Sequence, residues 1–194
     1  MSTPSTTADD ILSCARSLII AGGYDSFSYA DISEVVGIRK ASIHHHFPAK
    51  ADLVRTLVAR YREEAEAGIA ELERNVPDPV GQLTAYTGYW EACIGDASAP
   101  FCVCALLATQ IPVLPEEVAR EVRAHFRALS AWLASVLERG ARQGSLRLDG
   151  PARAEAETVL ATVHGAMLSA RAYGDAAMFG VVIHPLLTRL VVAR

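Results

Sequence analysis

One stretch, residues 28–53, restricts the fold of this chain more than any other. Apolar residues recur at helical spacing on both sides of Gly37, and a glycine between two short helical patterns favours a tight turn with positive φ. Ser28, with Asp31 three residues later, has the form of an N-terminal capping box. Pro48 resists continuation of a helix. The stretch therefore predicts two short helices joined by a tight turn, with a third helix after Pro48.

The rest of the chain is predicted to be helical as well, which makes the fold class all-α. The sequence has 194 residues, 51% of them apolar, so it can bury a sizeable core. A first helix is expected to have Asp9 and Asp10 in its first turn and to stop at Gly22-Gly23. The other helices are predicted at about residues 52–75, 80–95, 101–111, 116–142, 152–173 and 176–193.

Cysteine count and the N-terminal sequence favour a cytoplasmic protein. Four cysteines at irregular spacing do not suggest a secreted disulfide framework. The N-terminal sequence MSTPSTTADD has neither a basic start nor an apolar run, so we expect no signal peptide. No apolar run has the length of a membrane span, so we expect no membrane partner.

The helix-turn-helix pattern indicates contact with double-stranded DNA, although the charge is unfavourable. The net charge is −4, and residues 1–50 hold four Arg or Lys against five acids, so binding must depend on a few placed donors. Arg39 and Lys40 begin the second short helix, where a recognition helix meets base edges, and either could donate to guanine. Residues expected to meet phosphates are Ser28, Ser42, His44, His45, His46 and Lys50. The alternative is a solvated polar helix face without a partner.

The run His44-His45-His46 also raises the possibility of a metal site. Consecutive helical residues point about 100° apart, so three neighbours do not converge on one ion. Paired metal ligands on a helix are expected four residues apart. We therefore predict backbone contact with DNA for these histidines and no metal site.

Residues 10–58 resemble the DNA-binding domain of the tetracycline-repressor (TetR/AcrR) family. The matching positions are Ser28, Ile32-Ser33, Val36-Gly37-Ile38, Ala41-Ser42-Ile43, His46-Phe47, Lys50 and Leu53. Arg39 replaces the serine that usually caps the recognition helix, and His44 replaces a tyrosine that usually reaches the DNA backbone. The resemblance implies that the DNA-contacting positions are Ser28, Lys40, Ala41, His44, His45, His46 and Lys50.

The resemblance also implies the domain organisation and the function. We expect a three-helix DNA-binding domain over residues 1–54 and a helical ligand-binding and dimerisation domain over residues 55–194. Residues 152–194 would form a four-helix bundle with a second copy; an intramolecular helix pair is the alternative. The expected function is a ligand-responsive repressor that binds a palindromic operator as a homodimer and is released by a small-molecule inducer.

Aromatic and polar residues of the second domain are candidates for the inducer site, and plain core packing is the alternative for each of them. The candidates are Tyr86, Trp90, Cys102, His125, Phe126, Trp132, His164 and Met167. No acid is spaced with the histidines to suggest a catalytic dyad or triad, so we expect neither an enzyme nor a cofactor. A helical enzyme or interaction module with a coincidental N-terminal match stays open, and it predicts no specific DNA binding.

The cysteines suggest an alternative function on the same scaffold, a thiol-based sensor of oxidants or electrophiles. Cys102 lies near a helix N-terminus, where the pKa of a thiol can be lowered. Cys102 and Cys104 are expected to point to nearly opposite sides of a helix, so they would not pair locally, and Cys93 is a more plausible partner for one of them. Inert packing of buried cysteines is the simpler interpretation.

Overall fold

A computed structural model describes residues 6–97 and 101–192 of the chain, and these residues form nine α-helices. The helices are α1 (Thr7–Gly22), α2 (Tyr29–Val36), α3 (Lys40–His46), α4 (Lys50–Asn75), α5 (Pro79–Gly95), α6 (Val103–Ala108), α7 (Glu116–Arg142), α8 (Ala152–Tyr173) and α9 (Ala177–Leu190). Short 3-10 turns lie at Tyr24–Ser26 and Ile111–Val113. Apart from one isolated antiparallel bridge between Leu146 and Val191, the described residues form no β-structure. The all-α prediction is confirmed.

The helices belong to two compact units. The first contains the described residues up to Glu64 together with Cys102–His125, and the second contains those of 65–101 and of 126–194. Helices α4 and α7 each contribute residues to both units. The segment Cys102–His125 is therefore part of the same compact body as the helix-turn-helix.

The first unit has a core of aliphatic side chains from α1 to α4. Ile11, Ile19, Ile32, Ile43 and Leu53 are completely buried. Each aliphatic side chain of this size that is removed from water contributes about 1.5–3 kcal/mol. Helices α2 and α3 have only 8 and 7 residues, so they would not be stable in isolation. This packing therefore holds them in place.

The second unit is built around α5, α7, α8 and α9. Buried residues at helical spacing form one face of α8, among them Val159, Val163, Met167 and Ala170. The end of α9 is tied to the start of α8 by Arg189, whose guanidinium contacts the Glu155 carboxylate at 3.0 Å. This ion pair fixes the two ends of the α8–α9 pair against each other.

The predicted helix over residues 101–111 is shorter in the structure. It covers Val103–Ala108 and is followed by the 3-10 turn at Ile111–Val113. The Thr109 backbone N–H and hydroxyl both donate to the Leu106 carbonyl three residues earlier, as at a tightened helix end, and Pro112 lacks the amide hydrogen that a longer helix needs.

None of the helices in the described residues is long and apolar enough to cross a lipid bilayer.

Candidate nucleic-acid interface

The start of α2 is fixed by the predicted capping box. The Ser28 backbone N–H donates to the Asp31 carboxylate at 2.6 Å, and the Ser28 side chain accepts hydrogen bonds from the first turn of α2. The hydrogen bonds that the Ser28 backbone N–H and then the Ser28 hydroxyl donate to the Asp31 carboxylate lower the pKa of Asp31. Reciprocal capping satisfies amide hydrogens that would otherwise have no partner at a helix start.

The turn between α2 and α3 is closed by Gly37. Its φ of 74° and ψ of 28° lie in the left-handed region, as the sequence predicts. The Gly37 and Ile38 amides both donate to the Ser33 carbonyl, and the Ser33 hydroxyl donates to the Ile38 carbonyl at 2.6 Å. These bonds fix the direction in which α3 leaves the turn.

Helix α3 presents its polar residues outward. Ile43 is buried, whereas Lys40, Ala41 and the three histidines are exposed and Ser42 is half-buried. Arg39 is the N-cap residue, with an extended backbone and no capping hydrogen bond from its side chain. The side chains of Arg39 and Lys40 make no hydrogen bond or ion pair with another described residue. Two cationic groups at the exposed start of a short helix are thus available to an external acceptor.

The three histidines of α3 differ in their contacts. His44 Nδ1 is 3.2 Å from the Pro48 carbonyl oxygen, and the His44 ring meets the Tyr29 ring edge-on at 4.7 Å. The rings of His45 and His46 are 5.5 Å apart. Within residues 6–97 and 101–192, no group of three or more His, Cys, Asp or Glu side chains is arranged to hold a metal ion.

Lys50 has an internal partner that its sequence position does not reveal. Its ammonium donates to the Phe27 carbonyl at 2.5 Å and lies 4.1 Å from the centre of the Phe27 ring and 4.8 Å from that of Tyr24. Burial lowers the pKa of Lys50. Lys50 therefore ties the start of α4 to the turn before α2, and its contact with phosphate stays a prediction.

Tyr29 is a further positioning residue that sequence reasoning missed. Its hydroxyl donates to the Phe47 carbonyl at 2.8 Å and so holds the end of α3 against α2. Burial raises the pKa of Tyr29 to about 12, which keeps the phenol protonated as a donor. No sequence pattern marks this contact, because it joins residues eighteen positions apart.

The candidate inducer residues divide between the two units. Six of them lie in the second unit, where the structure brings together two pairs. The ring centres of Tyr86 and Trp132 are 5.4 Å apart, and those of Phe126 and His164 are 5.1 Å apart. The other two second-unit candidates, Trp90 and Met167, are both buried.

Cys102 and His125 lie in the first unit, around Tyr61. The Tyr61 hydroxyl lies 3.5 Å from the Cys102 sulfur, and the His125 ring centre is 5.3 Å from that of Tyr61. The Arg16 guanidinium lies over the Tyr61 ring, 4.9 Å from its centre. Burial raises the pKa of Tyr61 well above its usual range, and the Cys102 thiol adds to the effect.

The expected separation of Cys102 and Cys104 is wrong. Cys102 is the N-cap of α6, with φ −68° and ψ 121°, so the rotation of 100° per helical residue does not apply to it. The two thiols are hydrogen-bonded to each other. Burial raises the pKa of the Cys104 thiol well above its usual range. All four cysteines are buried and reduced.

Two sequence models match the chain. Residues 11–57 match the model described as bacterial regulatory proteins, tetR family, and residues 79–185 match the one described as tetracyclin repressor-like, C-terminal domain. The chain belongs to the TetR family. It is a transcriptional regulator with an N-terminal helix-turn-helix, as the resemblance of residues 10–58 predicted.

Solved structures agree with this assignment. A TetR-family transcriptional regulator from Agrobacterium tumefaciens is 71% identical, with a TM-score of 0.93 over 95% of this chain and 97% of that one. A TetR regulator from Legionella pneumophila is 25% identical, with a TM-score of 0.87 over 97% and 100% of the two chains. A putative regulator from Saccharomonospora viridis in complex with choline shares the fold at 20% identity, with a TM-score of 0.80 over 96% and 98%. No curated protein matches the sequence.

Proposed function

We propose that this TetR-family regulator binds a palindromic DNA operator as a homodimer and represses transcription until a small molecule binds its second unit. The observation that carries the proposal is the exposed start of α3, where the side chains of Arg39 and Lys40 have no hydrogen-bonding or ion-pair partner among the described residues. An arginine can donate two parallel hydrogen bonds to guanine, and a lysine can donate to the same atoms. Residues at the start of a recognition helix are the ones that reach base edges.

A stripe of small and apolar residues on α8 supports the homodimer. Its members are exposed, and the spacing between successive members is alternately four and three residues. They are Ala154, Thr158, Ala161, Gly165, Leu168 and Ala172. A methyl group added at Gly165 would meet open space, so another helix could approach closely there. A self-complementary surface on each subunit also suits a palindromic site, because two half-sites are bound at once.

Two buried polar atoms of the second unit support a ligand. Trp132 Nε1 and His164 Nε2 are inaccessible to solvent and have no hydrogen-bond partner among the described residues. Leaving such a group unsatisfied costs about 1–3 kcal/mol. A ligand with hydrogen-bond acceptors and an apolar body would satisfy them and pack against the neighbouring rings of Tyr86 and Phe126. The choline complex of the regulator from S. viridis is one case of a small molecule bound by a protein with this fold.

The test begins with selection of DNA from a random library by the full-length protein. The selected operator is then used to compare the wild type with Arg39→Ala and Lys40→Ala, and Arg142→Ala serves as control because Arg142 is exposed on α7, outside the helix-turn-helix. Each of the two test variants is expected to lose about 1–3 kcal/mol of binding free energy if it removes a base contact, and to lose discrimination at that base pair. The control is expected to bind like the wild type. Unchanged affinity and base preference in both test variants would overturn the assignment.

Ionic strength provides an independent measurement. We expect operator affinity to fall steeply with salt, despite the net charge of −4, because the phosphate contacts are local. A flat dependence on salt would contradict the proposed docking of α3.

A second candidate function is a thiol-based sensor on the same scaffold, favoured by the hydrogen bond between the Cys102 and Cys104 thiols. Hydrogen peroxide could oxidise this pair to a disulfide, with two molecules of water formed from the peroxide and the two thiol protons. Burial opposes this function, since thiolate is the reactive form and the pKa of Cys104 is raised. The test compares operator release by hydrogen peroxide in the wild type, in Cys102→Ser and in the control Cys14→Ser. Release that survives in Cys102→Ser would contradict it.

A further inference from the structure

Gln110 connects the segment Cys102–His125 to the corner between α1 and α2. Its side-chain oxygen Oε1 accepts a hydrogen bond from the backbone N–H of Tyr24 at 2.8 Å, across 86 positions of sequence. Gly23, the residue before Tyr24, is buried and has a φ of 91°. A Cβ at Gly23 would lie 2.6 Å from both Oε1 and Nε2 of Gln110, so the absence of a side chain there is what admits the amide.

Both ends of this contact are held in place. The Gln110 backbone N–H donates to the Leu107 carbonyl at 3.0 Å, and the Gln110 carbonyl accepts from Val113 at 2.9 Å. On the other side, Tyr24 is buried and its ring lies under the Lys50 ammonium. A single amide therefore joins two fixed backbone segments, which makes the contact directional in a way that apolar packing is not.

The corner at Tyr24 determines where α2 begins. The turn Tyr24–Ser26 leads through Phe27 to the capping box of Ser28, and the Phe27 carbonyl accepts from Lys50 at the start of α4. The orientation of the helix-turn-helix (residues 28–53) relative to segment 102–125 thus depends on this corner. Helix α7 starts within that segment, at Glu116, and continues into the second unit.

We propose that Gln110 is a positioning residue whose hydrogen bond to Tyr24 orients the helix-turn-helix and thereby determines the half-site spacing that the dimer accepts. The inference rests on the proposed function, since half-site spacing has a meaning only for a dimer on a palindromic operator. Loss of the bond removes the side-chain hydrogen bond that joins the α1–α2 corner to segment 102–125. The helix-turn-helix then samples a wider range of orientations, and preference for one spacing weakens.

The test uses the selected operator and versions of it with one or two base pairs added to or removed from the spacer. Gln110→Met keeps a similar side-chain length but has no oxygen to accept from Tyr24, whereas Gln110→Glu keeps an acceptor in place and is the matched control. One hydrogen bond corresponds to a factor of about 5 in an equilibrium constant. We therefore expect Gln110→Met to reduce the preference for the native spacing about 5-fold, and Gln110→Glu to retain it. Gln110→Ala carries the same expectation as Gln110→Met and replaces it if the methionine variant does not fold.

Hydrogen exchange of the Tyr24 amide is a second readout that needs no DNA. We expect this amide to exchange faster in Gln110→Met than in the wild type and in Gln110→Glu, at equal global stability. A spacing preference in Gln110→Met equal to that of the wild type would overturn the inference, even if exchange is faster. Failure of the wild type to select any DNA would overturn the proposed function instead, so the two failures are distinguishable.

Discussion

Leu168 on the exposed stripe of α8 provides a quantitative test of the homodimer. It exposes 59% of its accessible surface, three residues beyond Gly165. Complete burial of a leucine contributes about 1.5–3 kcal/mol, so covering the exposed part would contribute about 1–2 kcal/mol in each subunit. A two-fold axis repeats every contact, which gives about 2–4 kcal/mol for the two leucines together.

Leu168→Glu removes this contribution and adds a carboxylate to the interface of each subunit. We expect the dimer dissociation constant to rise by about 30- to 1000-fold, which sedimentation velocity over a range of protein concentrations measures directly. Val113→Glu is the matched control, because Val113 is 67% exposed and lies in the 3-10 turn outside α8 and α9. A wild-type dissociation constant in Leu168→Glu would refute the interface. So would an equal loss in both variants, since that would show a general effect of added charge.

Three further predictions concern the helix-turn-helix and the start of α1. Arg39→Ser is expected to raise the free energy of unfolding by about 1 kcal/mol, because a serine side chain can cap α3. The same substitution is expected to weaken operator binding. Thermal melting measures the first effect and a binding titration measures the second. Gly37→Ala is expected to lower the free energy of unfolding, measured with denaturant, by about 1 kcal/mol. The cause is backbone strain at positive φ alone, since a Cβ there would meet open space. The pKa of Asp9 is lowered to about 2 by hydrogen bonds from Thr6 and Arg60, so its contribution to stability is complete above its ordinary pKa of 3.8 and is lost as pH falls toward 2. Between those pH values, the free energy of unfolding of Asp9→Asn is therefore expected to change less with pH than that of the wild type. An equal change in both proteins would contradict this role of Asp9.

The features that could be predicted from the sequence are those determined by neighbouring residues. The capping box at Ser28, the left-handed Gly37 and the start of α3 at Lys40 each depend on residues within one or two turns, and the structure has them as predicted. The partners of Lys50 and Gln110 could not be predicted, because they are far away in the sequence and the contacts leave no periodic pattern. The hydrogen bond between the Cys102 and Cys104 thiols could not be predicted, because it depends on Cys102 being the N-cap of α6 and not a helical residue.

The distribution of ion pairs explains how a protein with a net charge of −4 can present a cationic surface to DNA. Many arginines outside α3 are neutralised by an acid within hydrogen-bonding or ion-pair distance. Such pairs are Arg60–Asp9, Arg62–Glu121, Arg123–Glu116, Arg139–Glu73, Arg153–Glu157 and Arg189–Glu155. Arg39 and Lys40 have no such pair among the described residues, so their charge is available at the start of α3. Paired charges contribute little to the potential beyond about one Debye length, roughly 8 Å at physiological ionic strength. A phosphate approaching α3 therefore meets two positive charges that no ion pair among the described residues neutralises.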